Sequence, residues 1–302
     1  MRGEPSRTAE AVCWMRATDQ RRRPVDRIVD DPYAKLFLGP MLRAALATWE
    51  ASGQIGDLAE RFAPSLVTFV LCRHRYIDDR LRRALARAVE QVVILGAGYD
   101  MRAYRFADDL KGRPVFEVDH PATSRRKARI LAAHARDLPA ADVRIVEVDF
   151  EKDSLRARLK ESGFRTGVRN FFVWEGVAMY LGRDAVKSTL TELREISAAG
   201  SEIALDLWQI PEGSDLLSAA HRLSANALRL VGEPVTFAIH PEDAGAFLNR
   251  LGYEVLEIAD APTFQSRYPR GRRPVYAPAY LVHARTRRIR STSRAATGPA
   301  RA

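Results

Sequence analysis

The segment Val93-Ile94-Leu95-Gly96-Ala97-Gly98-Tyr99-Asp100 carries the strongest structural signal in the chain. The uncharged run from Gln91 to Leu95 leads straight into a Gly-x-Gly turn. That is the pattern of a buried strand ending where backbone must approach a ligand closely, because any side chain there would collide with it. A dinucleotide fingerprint would place a third glycine at the sixth position of the motif, which here is Met101. The turn therefore suits a cofactor without a pyrophosphate better than it suits NAD.

The surroundings repeat the theme. Pro114 to Asp119 reads as a second strand, with Pro121 after it at the first position of a helix, where a missing N–H costs nothing. Val143 to Asp149, Asn170 to Trp174 and Glu202 to Leu207 read as three more. Between the last two lies a helical pattern with Val186, Leu190 and Leu193 on one face and Gly200 as its stop. Strands that are apolar on both faces and alternate with helices imply a parallel sheet covered on both sides. Further on, His240 to Leu251 has the signals of a helix, and Tyr253 to Ile258 and Tyr276 to His283 complete a seven-stranded sheet. The proline-rich stretch from Pro262 to Pro278 reads as a loop, and from Thr286 onward disorder is expected.

Residues 1–88 read as a helical cap, 89–285 as the α/β core with a lid insertion at about 208–252, and 286–302 as a basic tail. In the cap, Phe69 to Val89 is amphipathic and rich in arginine. Pairs of opposite charge at i,i+4, Arg75 with Asp79 and Asp78 with Arg82, predict an exposed helical face.

Composition narrows the class. The chain has 302 residues, 46% apolar and 8% aromatic, without a run of about 18 apolar residues that could span a bilayer. Met1 to Ser6 lacks the apolar core of a secretory signal. Two widely separated cysteines, Cys13 and Cys72, supply neither a disulfide framework nor a structural metal site, and a reducing cytoplasm is expected. The net charge of +10 is concentrated at the ends, in Arg21-Arg22-Arg23 and in six arginines between Arg285 and Arg301. Such runs read as solvated tails; no nucleic-acid-binding motif accompanies them.

Acids recur at the strand ends. Asp119 lies 21 positions beyond Gly98, where a carboxylate can accept both ribose hydroxyls of an adenosine. Asp149 with Phe150 can take the exocyclic amine of adenine and pack on its ring. Glu175, after Trp174, can hold an ammonium or sense a sulfonium charge. Each also has a plainer reading, as a helix cap or turn acid.

These pieces form an ordered set: Ser6-Arg7-Thr8-Ala9, Asp31-Pro32-Tyr33-Ala34, Arg73-His74-Arg75-Tyr76-Ile77-Asp78-Asp79, Val93 to Asp100, Phe116-Glu117-Val118-Asp119, Val148-Asp149-Phe150 and Glu175-Gly176-Val177-Ala178-Met179-Tyr180-Leu181. In this order the chain resembles the leucine carboxyl methyltransferase superfamily, in particular its bacterial branch. The resemblance implies a Rossmann-like class I methyltransferase fold and S-adenosylmethionine as cofactor. It implies that Arg73 pairs with the methionine carboxylate and that Arg7 lies where the family has a second basic residue, a lysine in its eukaryotic members. It further implies that Gly96 and Gly98 line the cofactor, Asp119 takes the ribose, Asp149 and Phe150 read the adenine, and Glu175 lies beside the methionine end.

The implied reaction is in-line displacement at a sulfonium methyl, in which the protein chiefly aligns reactants and excludes water. A carboxylate acceptor is already ionised and needs no general base, whereas a phenol or alcohol would benefit from one. Neither His120 nor His240 reads as such a base, and no catalytic residue or metal ligand is assigned. The expected acceptor is a small molecule, carboxylate or polyketide-like, acted on by O-methylation. A peptide or protein C-terminal carboxylate, a nucleic acid and a non-catalytic adenosine sensor are the alternatives.

Overall fold

A computed structural model describes residues 7–52, 63–209, 235–268 and 273–287. Most of the expected lid (210–234) and tail (288–302) lie outside the described residues. The N-terminal part contains α1 (Arg7–Asp19), α2 (Pro40–Ser52) and α3 (Pro64–Leu85), with 3-10 turns at Pro24–Asp26 and Ala34–Phe37. The core follows as β1 (Gln91–Leu95), α4 (Arg102–Arg105), β2 (Val115–Asp119), α5 (Pro121–Ala133), β3 (Val143–Glu147), α6 (Leu155–Glu161), β4 (Asn170–Trp174), α7 (Arg183–Ile196) and β5 (Glu202–Trp208). It closes with α8 (Pro241–Arg250), β6 (Tyr253–Ala259), α9 (Ala261–Arg267) and β7 (Ala279–Thr286).

The strands form one seven-stranded sheet in the order β3-β2-β1-β4-β5-β7-β6. β1 to β5 run parallel, and β7 enters antiparallel between β5 and β6. One face is covered by α3, α4 and α9 through Phe69, Leu81, Ala103 and Phe264. The other is covered by α6, α7 and α8 through Leu159, Leu190 and Phe247. A third cluster joins Cys13 and Ala17 of α1 and Phe37 to Tyr99 and Met101, the residues that follow the glycine turn.

Register explains why acids gather at one place. Leu95 lies opposite both Val118 and Trp174, and Trp174 lies opposite Leu205. The next residues, Gly96, Asp119, Glu175 and Asp206, therefore form one row along the carboxyl edge of the sheet. Side chains alternate between faces with period two. Ile94, Val173 and Ala204, two positions earlier in their strands, belong to the cluster on the α3 side. The row thus faces α3. The order of strands reverses between β1 and β4, and in open α/β sheets the ligand crevice lies at such a switch point.

Three expectations need correction. Residues 261–267 are helical: Asp260 accepts the Thr263 N–H at 3.0 Å as an N-cap, and Pro262 occupies a first-turn position that tolerates it. Thr286 is a buried strand residue, its hydroxyl bonded to the Ala198 carbonyl at 2.8 Å, so β7 outlasts the expected boundary. Finally, the Asp78 carboxylate is buried and engages Arg102 and Arg105 rather than Arg82; of the two expected i,i+4 pairs only Arg75–Asp79, at 3.0 Å, forms on the helix surface.

Candidate functional site

β1 ends in a turn where Gly96 and Gly98 adopt φ of 63° and 48°, backbone that other residues rarely take up. A Cβ on Gly96 would lie 2.1 Å from Val177 Cγ2, so the glycine admits the loop that follows β4. The Gly98 N–H donates to Asp119, and the His120 N–H donates to its other carboxylate oxygen at 2.6 Å. Burial nevertheless pushes the Asp119 carboxyl above its ordinary pKa. His120 is the N-cap of α5, its ring accepting the Ala122 N–H at 3.3 Å. A cavity of about 200 Å³ opens beside this turn between β2, β3 and α5, with Gly98, Asp119, Glu117 and Lys127 on its wall. Lys127 Nζ pairs with Glu117 at 2.6 Å and donates to the Asp100 carbonyl at 2.5 Å.

On the other side of the turn lies a buried ionic network. Arg73 of α3 donates through Nε to Glu175 at 3.1 Å and through Nη1 to Asp206 at 2.9 Å. The second Asp206 oxygen accepts the Gly176 N–H at 2.5 Å. Arg102, fully buried, engages Asp78 at 2.7 Å, Glu175 at 2.8 Å and Asp100. Arg105 reaches the other oxygen of Asp78 at 2.5 Å, and Arg16 of α1 pairs with Asp31 at 3.0 Å.

His74 fills the centre. Its Nε2 faces two donors, Arg105 at 2.8 Å and Arg16 at 3.5 Å, and so acts as an acceptor. Its Nδ1 lies between the Glu175 carboxylate at 3.2 Å and the Arg102 guanidinium at 2.9 Å. Burial, reinforced by Arg102, lowers the pKa of this imidazole and keeps it neutral. Burial works against the charged form of Glu175, but Arg102, His74 and Arg73 together hold its carboxyl well below the usual range. The same competition leaves Asp100 and Asp78 depressed, with Arg102 leading for the first and Arg105 for the second. Ligand atoms of His74, Asp100 and Glu175 lie within 4.8 Å of one another, a spacing that suits a metal ion. Here the Arg102 guanidinium contacts all three and already supplies the positive charge.

Of the residues singled out from sequence, two groups assemble: Arg73 with Glu175, and Gly96 and Gly98 with Asp119. Asp149 and Phe150 stand apart, in the loop after β3. Asp149 is partly exposed, accepts the Glu151 N–H at 3.1 Å and pairs with Lys152 at 2.8 Å, while Phe150 packs against the α6–α7 side of the core. Arg7 begins α1, and its side chain lies outside the described residues. Sequence reasoning did not assign Arg16, His74, Asp100, Arg102 or Asp206 to the site. One signal was available for Asp206: a lone acid inside the apolar run Ile203-Ala204-Leu205-Asp206-Leu207 needs a buried partner.

Residues 9–194 match the model of the family described as leucine carboxyl methyltransferase. A Parafrankia protein named as a candidate S-adenosyl-L-methionine-dependent methyltransferase is 34% identical over 66% of this chain, and the match spans 62% of that relative's length. Two others with the same description are a Streptomyces coelicolor protein, 35% identical over 66% of this chain and 68% of its own, and a Mycobacterium avium protein, 30% identical over 81% and 82%. Among solved structures, a DUF574 family protein from Streptomyces avermitilis superposes with TM-score 0.61 at 14% identity, covering 93% of this chain and 98% of that one. A Thermobifida fusca protein described as a candidate methyltransferase gives 0.60 at 14% identity, covering 95% and 97%. The chain belongs to the leucine carboxyl methyltransferase family, with the fold and the relatives of the S-adenosyl-L-methionine-dependent methyltransferase class.

Proposed function

We infer that the protein transfers a methyl group from S-adenosylmethionine to an oxygen of a small acidic or polyketide-like acceptor, with the donor bound along the carboxyl edge of β1, β2 and β4. The observation that carries the reading is the row Gly96, Asp119, Glu175 and Asp206 at the switch point of the sheet, with Arg73 on Glu175 and Asp206. The Asp119 carboxylate retains lone pairs for ribose hydroxyls beyond the two N–H groups it accepts. Arg73 presents a buried guanidinium for the methionine carboxylate, and Glu175 and Asp206 favour the ammonium and sulfonium. Asp149 and Phe150 are assigned the adenine end, and Arg7 an auxiliary basic role beside the methionine.

Electrostatics support the same donor. Around neutral His74, the carboxylates of Asp31, Asp78, Asp100, Glu175 and Asp206 exceed the guanidiniums of Arg16, Arg73, Arg102 and Arg105 by one charge. S-adenosylmethionine carries one net positive charge, and its demethylated product carries none. The network therefore favours the reactant over the product. His74 is not assigned as a general base: both ring nitrogens are engaged, Nε2 by Arg105 and Nδ1 by Glu175 and Arg102. Transfer to an already ionised acceptor, driven by alignment and exclusion of water, accords with that. No helix among the described residues is long and apolar enough to cross a membrane. Two free, buried cysteines accord with a reducing cytoplasm.

Calorimetric titration with S-adenosylmethionine, S-adenosylhomocysteine and NAD, on wild type and Asp119→Ala, tests the assignment. Binding of the two sulfur ligands but not NAD is expected, with a loss of about 1–3 kcal/mol in the variant. Equal affinity of the variant would remove Asp119 from the site. Labelled methyl donor with panels of carboxylic acids, phenols and peptide C-termini then identifies the acceptor oxygen.

A further inference from the structure

A second concavity, of about 320 Å³, lies away from the Arg73–Glu175 network, between the Ala34–Phe37 turn, the start of α2 and the outer face of α5. Its floor is apolar, with Leu36, Leu38 and Ile130, and its rim carries Arg43, Arg126 and Arg129 without an acid in the lining. Arg126 is partly compensated by Glu10 at 3.6 Å and lies over the Tyr99 ring. Arg43 and Arg129 bond only to backbone carbonyls among the described residues: those of Leu36 and Leu38 for Arg43, and that of Arg125 for Arg129. Met41, next to the lining residue Pro40, is 80% exposed.

We propose that this groove binds a small anionic amphiphile, an acyl or alkyl chain ending in a carboxylate, at a site separate from that of the methyl donor. The volume falls at the lower end of small-molecule sites. The lining holds two rings: Phe37 is fully buried and stacked on Tyr99 at 4.8 Å, and the partly exposed His134 lies 3.9 Å from Asp137. A chain lying on Leu36, Leu38 and Ile130 with its carboxylate between Arg43 and Arg129 satisfies both the apolar strip and the unpaired charge. The Phe37–Tyr99 stack connects the groove to the residue after Gly98, so occupancy and donor binding share a loop.

The test is calorimetric titration of the full chain with decanoate, decanol and decyltrimethylammonium, each below its micellar concentration, and with a single-stranded RNA oligomer. The same titrations are made on Arg43→Glu/Arg129→Glu, whose S-adenosylmethionine affinity checks that the fold is intact. Decanoate is expected to bind the wild type, decyltrimethylammonium not to bind, and the double variant to lose roughly tenfold or more in decanoate affinity. Decanol binding as tightly as decanoate, an unchanged affinity in the double variant, or an absence of decanoate binding would overturn the proposal. Binding of RNA alone, lost in the same variant, would also overturn it and reassign the groove to polyanions.

Discussion

Arg102→Met is the sharpest perturbation the site offers. The side chain is fully buried, and its guanidinium bridges Asp78, Asp100 and Glu175, while methionine fills a similar volume without charge. Asp78 keeps Arg105 and Glu175 keeps Arg73 and His74, but Asp100 loses its side-chain cation partner and retains the Arg102 backbone N–H. Breaking a buried ion pair from one side costs about 3–5 kcal/mol, and one uncompensated carboxylate with two weakened ones belongs near the upper figure. For a domain of this size that is a fall in Tm of roughly 8–20 °C. The pH dependence carries the mechanism. In the wild type the depressed carboxyls of Asp78, Asp100 and Glu175 contribute stability that is present above their unfolded pKa and lost as pH falls through the folded values. Without Arg102 the folded-state carboxyls of Asp100 and Glu175 rise, so the variant's penalty is largest near pH 8 and shrinks toward pH 5. Thermal unfolding of both proteins at the two pH values measures this. A variant within 2 °C of wild type, or a gap that widens in acid, would refute the argument that Arg102 neutralises buried carboxylates.

Further expectations follow from individual contacts. Arg102→Ala empties the centre of the His74, Asp100 and Glu175 triangle, and cobalt(II) added to that variant should raise its Tm and give a ligand-field spectrum, with no such change in wild type. Gly96→Ala should lose roughly 2–4 kcal/mol from the positive φ and the 2.1 Å clash with Val177, and Gly96→Ala/Val177→Ala should recover only the clash, as read by urea unfolding. Burial pushes the Cys13 thiol up to about 11 and the Cys72 thiol up to about 12, so Ellman's reagent at pH 8 should titrate neither in the native protein and both in denaturant.

The strands were legible because their apolar runs and punctuation are local properties. Gln91–Leu95 and Asn170–Trp174 match the sequence reading residue for residue. The end of β7 was not legible: the pairing of Thr286 with Tyr253 of β6 is a long-range contact that leaves no local signature. The helix at Ala261–Arg267 was masked by its own proline, which marks a helix start as readily as a loop. At the site, the Asp119 and Glu175 positions followed from strand ends, whereas the direct Arg73–Glu175 pair was not read from the sequence. The roles of Asp78 and Arg102 did not follow. Asp78 sits among i,i+4 charges that resemble a solvated surface, and only the packing of α3 across the sheet turns it inward.

The ionic network also bears on how separable the N-terminal helices are. Arg16, Arg73, His74 and Asp78 come from α1 and α3, whereas Asp100 and Glu175 lie beyond the ends of β1 and β4 and Asp206 lies in β5. A chain that began at residue 89 would keep the acids of the sheet and, for Glu175 and Asp206, forfeit Arg73. The α/β core is therefore not an autonomous module to which a lid was appended. Its charge is completed only when residues more than a hundred positions apart have met, as in the Arg73–Glu175 and Arg73–Asp206 bonds. If the donor binds at Arg73 as proposed, its affinity should fall in a chain that lacks α3, which titration of a truncated chain measures. Exchanging this first segment for an unrelated one would leave Asp206 without its cation, whereas Glu175 would keep Arg102.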